Sequence, residues 1–172
     1  VCIRGGNVIG TNGSVIPFFK EQIVNHHTVP LTSREMTRFF LTVSEAIDLL
    51  INASEKAIGG EIFVIKMKAC RIIDLIEVMK RHFATKDIVI HEVGIRPGEK
   101  IHEVLVSNAE SPNTYQFDED HYVIIPTNTP EKVKKRYEHL PKVAFERYQS
   151  NDKLMSLKEI EEILMKANVI TS

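Results

Sequence analysis

Residues 4–13 read RGGNVIGTNG, four glycines and two asparagines that follow directly on the apolar start VCIR. The fold turns on whether this loop opens a nucleotide site or completes one begun elsewhere. A dinucleotide fingerprint needs G-x-G-x-x-G between a strand and a helix, and a P-loop needs G-x-x-x-x-G-K-[ST]. Gly5, Gly6, Gly10 and Gly13 satisfy neither spacing, and no Lys follows. Residue types leave two readings open. One is a turn that uses Gly and Asn for positive φ. The other is a loop in which Gly13-Ser14 starts a helix whose free N–H groups suit an anion or a base carbonyl.

Working outward, VCIR (1–4) reads as a buried strand and Ser14 to His27 as a helix, with Pro17 tolerated in its first turn. TVPLT (28–32) is extended and MTRFFLTV (36–43) is a strand. SEAIDLLINASEKA (44–57) is a helix capped by Gly59-Gly60, and EIFVIK (61–66) is a strand. RIIDLIEVMKRHF (71–83) puts Ile72, Leu75, Ile76 and Met79 on one helical face. DIVIHEVG (87–94) is a strand leading into IRPGEKIHEVL, a loop expected to enter a short helix at Glu99-Lys100. YQF (115–117) and HYVIIP (121–126) suggest a hairpin, and two helices are expected at 130–139 and 156–167. Helices and strands alternate, so the class is α/β. The strands are few and short, which suits a small mixed lobe better than a complete doubly wound sheet.

At 172 residues the chain can build a real core. Its 22 basic and 23 acidic residues give a net charge of −1, so no global field draws nucleic acid or an anionic membrane, and neither is expected as a partner. No apolar run reaches the roughly 20 residues of a membrane helix. Cys2 and Cys70 lack C-x-x-C spacing, which points to a reduced, cytoplasmic protein. The seven histidines show no zinc-ligand spacing, so no metal is expected. KVKKR (132–136) reads as a solvated helix face. The start inside a strand-like VCIR, without Met, suggests a fragment.

Two stretches can carry recognition. In MTRFF, strand alternation puts Arg38 and Phe40 on one face, and an arginine on so apolar a strand needs a partner. That partner is either a nearby Glu or a phosphate gripped by the planar guanidinium. In VGIRPGEK (93–100), Arg96 and Glu99 flank the turn pair Pro97-Gly98, so both tips can meet one ligand. Arg would face phosphate and Glu would accept from vicinal hydroxyls. The alternative is a surface Arg–Glu ion pair worth little.

In this order RGGNVIGTNGSVIPFFKEQI, LTSREMTRFFLTVSEAIDLL, GGEIFV and GIRPGEKIHE resemble the C-terminal half of extended short-chain dehydrogenase/reductases. The resemblance is nearest to the NADP-dependent, C5-inverting UDP-N-acetylglucosamine 4,6-dehydratases of polysaccharide and pseudaminic acid biosynthesis. It covers residues 1–126 and implies a UDP-sugar-binding lobe there, with a helical tail at 127–172. It implies that Asn7 lies near the diphosphate, that the backbone at Ser14 and Val15 receives the uracil, and that Arg38 and Arg96 oppose the diphosphate. Glu99 would hold the ribose hydroxyls. Gly5 departs from the family, which usually has an aromatic there. The NADP-binding G-x-x-G-x-x-G loop and the catalytic Tyr-x-x-x-Lys pair of such enzymes have no counterpart in these residues. No catalytic residue is therefore expected here, NADP would belong to the intact enzyme, and that enzyme is expected to be a homo-oligomer. Rival implications are the same lobe of a UDP-sugar 4-epimerase or capsular dehydratase, or a non-catalytic sugar-nucleotide-binding module.

Overall fold

The computed structural model describes residues 2–11 and 14–171, so Asn12 and Gly13 of the opening loop lie outside the described residues. The elements run β1 (Cys2–Arg4), β2 (Asn7–Val8), α1 (Val15–Glu21), a π turn (Gln22–His26), β3 (Thr28–Leu31), β4 (Thr37–Leu41), α2 (Val43–Lys56) and β5 (Ile62–Ile65). Then come β6 (Ala69–Arg71), α3 (Ile72–Phe83), β7 (Val89–Glu92), β8 (Val104–Val106), β9 (Thr114–Gln116), β10 (His121–Ile124), α4 (Glu131–Tyr137), β11 (Tyr148–Gln149) and α5 (Leu157–Lys166). This is the mixed α/β class with short strands that the alternation implies. Among the described residues no helix is long and apolar enough to cross a membrane.

Two expectations are corrected: β1 is a strand but not a buried one, with Cys2 exposed and Ile3 and Arg4 half-buried, and the short helix at Glu99 is absent. β6 escapes the sequence pattern because it has three residues and runs directly into the apolar period of α3. It pairs antiparallel with β4, Arg38 facing Cys70. The short helix expected from Glu99 does not form. The Lys100 and Ile101 carbonyls, which a helix would need, instead accept hydrogen bonds from Arg38, and Ile101 also accepts the Thr37 N–H.

The chain divides into two compact units, each built from three segments. The first takes the segment ending at Gly6, Ser44–Met67 and Val104–Gln149. Its main sheet has the order β1-β5-β10-β9. β1 and β5 are parallel, so a crossover must join them, and α2 lies within it. Phe63, Val123, Val133 and Tyr137 form its core. The Glu61 carboxylate, 1% exposed, closes the end of α2 by accepting from the Ile58 and Gly59 N–H groups and from the Tyr137 hydroxyl. Gly59 and Gly60 turn away from the helix at φ +108° and +100°, conformations that favour glycine.

The first unit also carries an acid-sensitive bridge. Arg4 Nη2 donates to Glu110 Oε1 at 2.7 Å, while the Ser107 N–H and O–H donate to Oε2 at 3.0 and 2.6 Å. The Arg4 hydrogen bond, outweighing burial and helped by Ser107, holds the Glu110 carboxyl at about 2. Because that lies below the unfolded value of 4.5, the stabilisation is full above pH 4.5 and is lost as pH falls through about 2. Both side chains are partly exposed, so Glu110→Gln is expected to cost only about 1–2 kcal/mol at neutral pH. It should also flatten the acid limb between pH 4.5 and 2 in urea melts followed by circular dichroism.

The second unit takes Asn7–Val43, Lys68–Glu103 and the chain from Ser150 onward. It holds the three-stranded sheet β2-β4-β6 and the parallel pair β3-β7. The apolar face of α3 is buried at Leu75, Ile76 and Met79, against α1 and α5. α5 is opened by a capping box in which Ser156 and Glu159 bond reciprocally, and it buries Ile160 and Leu164. The expected tail is thus divided, with α4 in the first unit and α5 in the second.

Candidate functional site

Within the second unit lies a cavity of about 590 Å³. Asn7, Ser14, Val15, Arg38, Arg96 and Glu99 all line it, although they come from four separate stretches of the chain. Met36, Phe40 and Ile72 contribute apolar wall. Strand alternation explains why Arg38 and Phe40 both reach the cavity from β4.

The turn 96–99 has the geometry its residues demand. The Glu99 N–H donates to the Arg96 carbonyl at 3.0 Å, and Gly98 sits at φ +84° after Pro97. Proline second and a positive-φ glycine third is the type II signature. Glu99 then folds back: Oε2 accepts from the Arg96 N–H (3.2 Å) and Oε1 from the Thr32 hydroxyl (3.1 Å). The carboxylate is therefore not spent on the Arg96 guanidinium. Among the described residues that guanidinium has no hydrogen-bond or ion-pair partner, and the residue is exposed. The site thus offers an unpaired cation and a hydrogen-bonded carboxylate on opposite shoulders of one tight turn.

Arg38 is placed differently. Its Nη1 donates to the carbonyls of Thr37 (2.7 Å) and Ile101 (3.1 Å), its Nη2 to that of Lys100 (2.8 Å). Its Nε lies 3.6 Å from Glu103, and the side chain is only 16% exposed. It therefore has the Glu partner that an arginine on an apolar strand requires, and also fastens the 100–103 segment to β4. Asn7 Nδ2 is likewise engaged, on the Phe39 carbonyl at 3.0 Å and on Glu103 at 3.3 Å.

Ser14 caps α1 with extended backbone, φ −77° and ψ 168°. Its N–H donates to the Thr11 carbonyl at 3.1 Å, so the free donor expected at that position is not free. Val15 opens the helix, where first-turn N–H groups lack intrahelical acceptors. The Ser14 hydroxyl is buried without a partner among the described residues. Among the described residues the positive-φ glycines are Gly10, Gly59, Gly60, Gly94 and Gly98; Gly5 is not one of them, so its backbone does not itself call for glycine. Thr32 and Glu103 join the site with no local motif to mark them. The one signal for Glu103 was the need of Arg38 for a counter-charge.

A cavity with a cationic tip, a carboxylate and apolar walls has the chemistry to hold an amphipathic anion. Residues 1–126 match the family described as polysaccharide biosynthesis protein. The chain belongs to that family. Within it, the ordered motifs mark the extended short-chain dehydrogenase/reductase type. A UDP-N-acetylglucosamine 4,6-dehydratase (inverting) of Campylobacter jejuni is 38% identical over 125 residues, covering 72% of this chain and 36% of that protein. A UDP-glucose 4-epimerase of Rickettsia felis is 34% identical over 175 residues, covering 99% of this chain and 50% of that protein. The structure of Pen from Bacillus thuringiensis superposes with a TM-score of 0.85 at 32% identity, over 98% of this chain and 50% of that one. The chain thus spans half or less of the length of these relatives. Likeness to the last two extends through α4 and α5, beyond the family match.

Proposed function

We propose that this chain is the UDP-sugar-binding part of a UDP-N-acetylglucosamine 4,6-dehydratase-like enzyme of nucleotide-sugar and polysaccharide biosynthesis. The observation that carries this reading is the meeting of Asn7, Ser14, Val15, Arg38, Arg96 and Glu99 around one cavity. Arg96 would take the diphosphate with its unpaired guanidinium, and Arg38 would add a second positive charge from beneath. Glu99, fixed by Thr32 and its own turn, would accept the ribose hydroxyls. Asn7 would lie by the diphosphate, and the backbone at Ser14 and Val15 by the base. The similarity to the Campylobacter dehydratase supports the hexosamine assignment.

The intact enzyme would be a cytoplasmic, NADP-dependent lyase working as a homo-oligomer. This chain's residues do not fit NADP: Gly10 alone in the opening loop is described with positive φ, and α1 behind it has seven residues. The cofactor and the Tyr-x-x-x-Lys pair would lie in a part of the enzyme that these residues do not include. A second reading, the same lobe of a UDP-sugar 4-epimerase, is favoured by the Rickettsia relative, which matches through the tail.

Isothermal titration calorimetry tests the reading. UDP and UDP-N-acetylglucosamine are expected to bind saturably and uridine much more weakly, with no turnover when NADP is added. Absence of UDP binding overturns the proposal. Preference for UDP-glucose over UDP-N-acetylglucosamine favours the epimerase.

A further inference from the structure

We infer that Glu103 is a positioning residue that holds the two halves of this site in register. The inference rests on the UDP-sugar reading above. One half comes from β2 and β4, which bring Asn7 and Arg38; the other comes from the 96–99 turn, which brings Arg96 and Glu99. Glu103 lies four residues beyond Glu99 on the same segment, and its carboxylate reaches back to β2 and β4. Both oxygens lie 3.3 Å from Asn7 Nδ2, Oε2 accepts the Phe39 N–H at 3.2 Å, and Oε1 faces Arg38 Nε at 3.6 Å.

The backbone beneath this carboxylate is fixed from the other side. The Glu103 N–H donates to Ser150 Oγ at 2.9 Å, and its carbonyl accepts the Ser150 N–H at 2.9 Å. Ser150 Oγ in turn lies 2.6 Å from Thr37 Oγ1, and Ser150 is fully buried. The carboxylate is therefore delivered by a rigid main chain to three donors at once. Only an acceptor on both oxygens satisfies them: an amide would turn its own N–H groups towards Asn7, Phe39 or Arg38. Losing it would leave Asn7 held by the Phe39 carbonyl alone and Arg38 by carbonyls alone, so the cationic side of the cavity would be more loosely ordered while its base end kept its own order. Glu103 touches no ligand in this account; it acts through Asn7 and Arg38.

The test is the ratio of UDP to uridine affinity, because the two ligands differ only in the diphosphate. Calorimetric titrations are run on the unaltered chain, Glu103→Gln and Glu103→Asp, with thermal melts alongside. Glu103→Gln is expected to lower UDP affinity about tenfold or more and uridine affinity by less than about twofold, with folding retained. Glu103→Asp keeps the charge one methylene short and should give an intermediate ratio. A loss shared equally by UDP and uridine marks a merely structural role and overturns the inference, as does an unchanged UDP affinity. Should Glu103→Gln fail to fold, the ratio for Glu103→Asp decides alone, and a ratio equal to that of the unaltered chain overturns it. If the unaltered chain binds no UDP, the functional reading itself has fallen, a result distinct from UDP binding that ignores residue 103.

Discussion

Arg96→Ala is expected to weaken UDP binding about 10- to 100-fold and leave uridine binding within about twofold. Charge-assisted hydrogen bonds to phosphate contribute roughly 1.5–3 kcal/mol each, and a guanidinium commonly makes them in pairs. Arg96 can spend its full set of donors on a ligand because among the described residues nothing engages them, and its backbone is set by the type II turn. The same exposure means that the alanine variant should melt at the temperature of the unaltered chain. Arg38→Ala is the contrasting case. Its donors hold the carbonyls of residues 37, 100 and 101, so its loss should lower melting temperature and UDP affinity together. Titration calorimetry and thermal melts on both variants read this difference. Equal affinity for UDP in Arg96→Ala and the unaltered chain would remove the diphosphate assignment.

The second large effect concerns stability. Glu61→Ala strands the Ile58 N–H, the Gly59 N–H and the Tyr137 hydroxyl, now bound to its carboxylate at 2.6, 2.7 and 2.9 Å. A buried donor left without an acceptor costs about 1–3 kcal/mol. Water entering the vacated space offsets part of this, so roughly 3–5 kcal/mol is expected, a large share of a typical domain's stability. Burial by itself pushes the Glu61 carboxyl up, but the hydrogen bonds from its own backbone, Ile58, Tyr137 and Gly59 outweigh it and leave the value lowered. Its contribution is therefore present above the unfolded value of 4.5 and fades as pH falls below it. The deficit of Glu61→Ala against the unaltered chain should accordingly shrink in acid. Urea denaturation at pH 7 and pH 3 measures both numbers, and a midpoint unchanged at pH 7 would contradict the role given to Glu61.

Where local chemistry decides, the sequence was readable. α3 and α5 announce themselves by apolar residues at helical spacing, and the first residue of each follows the expected start closely. Arg96-Pro97-Gly98-Glu99 encodes its own turn, since proline presets one dihedral and glycine supplies the positive one. What could not be read is set by distant partners. The carbonyls that Arg38 captures lie 62 and 63 positions away, and their capture both satisfies the arginine and prevents the helix expected at Glu99. β6 forms because β4 and, through a bridge from Ala69 to Leu154, a far later stretch of chain pair with it. In both cases a distant partner overrides a local preference.

The threading of the chain has a consequence for biosynthesis. The backbone passes from one unit to the other after Gly6, Val43, Met67, Glu103 and Gln149. No continuous stretch encodes either unit, so neither can be excised by a single truncation at each end. On the ribosome, the β1-β5-β10-β9 sheet waits for β10 before its central strand has both neighbours, and α3 waits for α5 from the last twenty or so residues. Such late, long-distance closure predicts slow maturation and exposure of apolar surface to chaperones while the nascent chain is still incomplete.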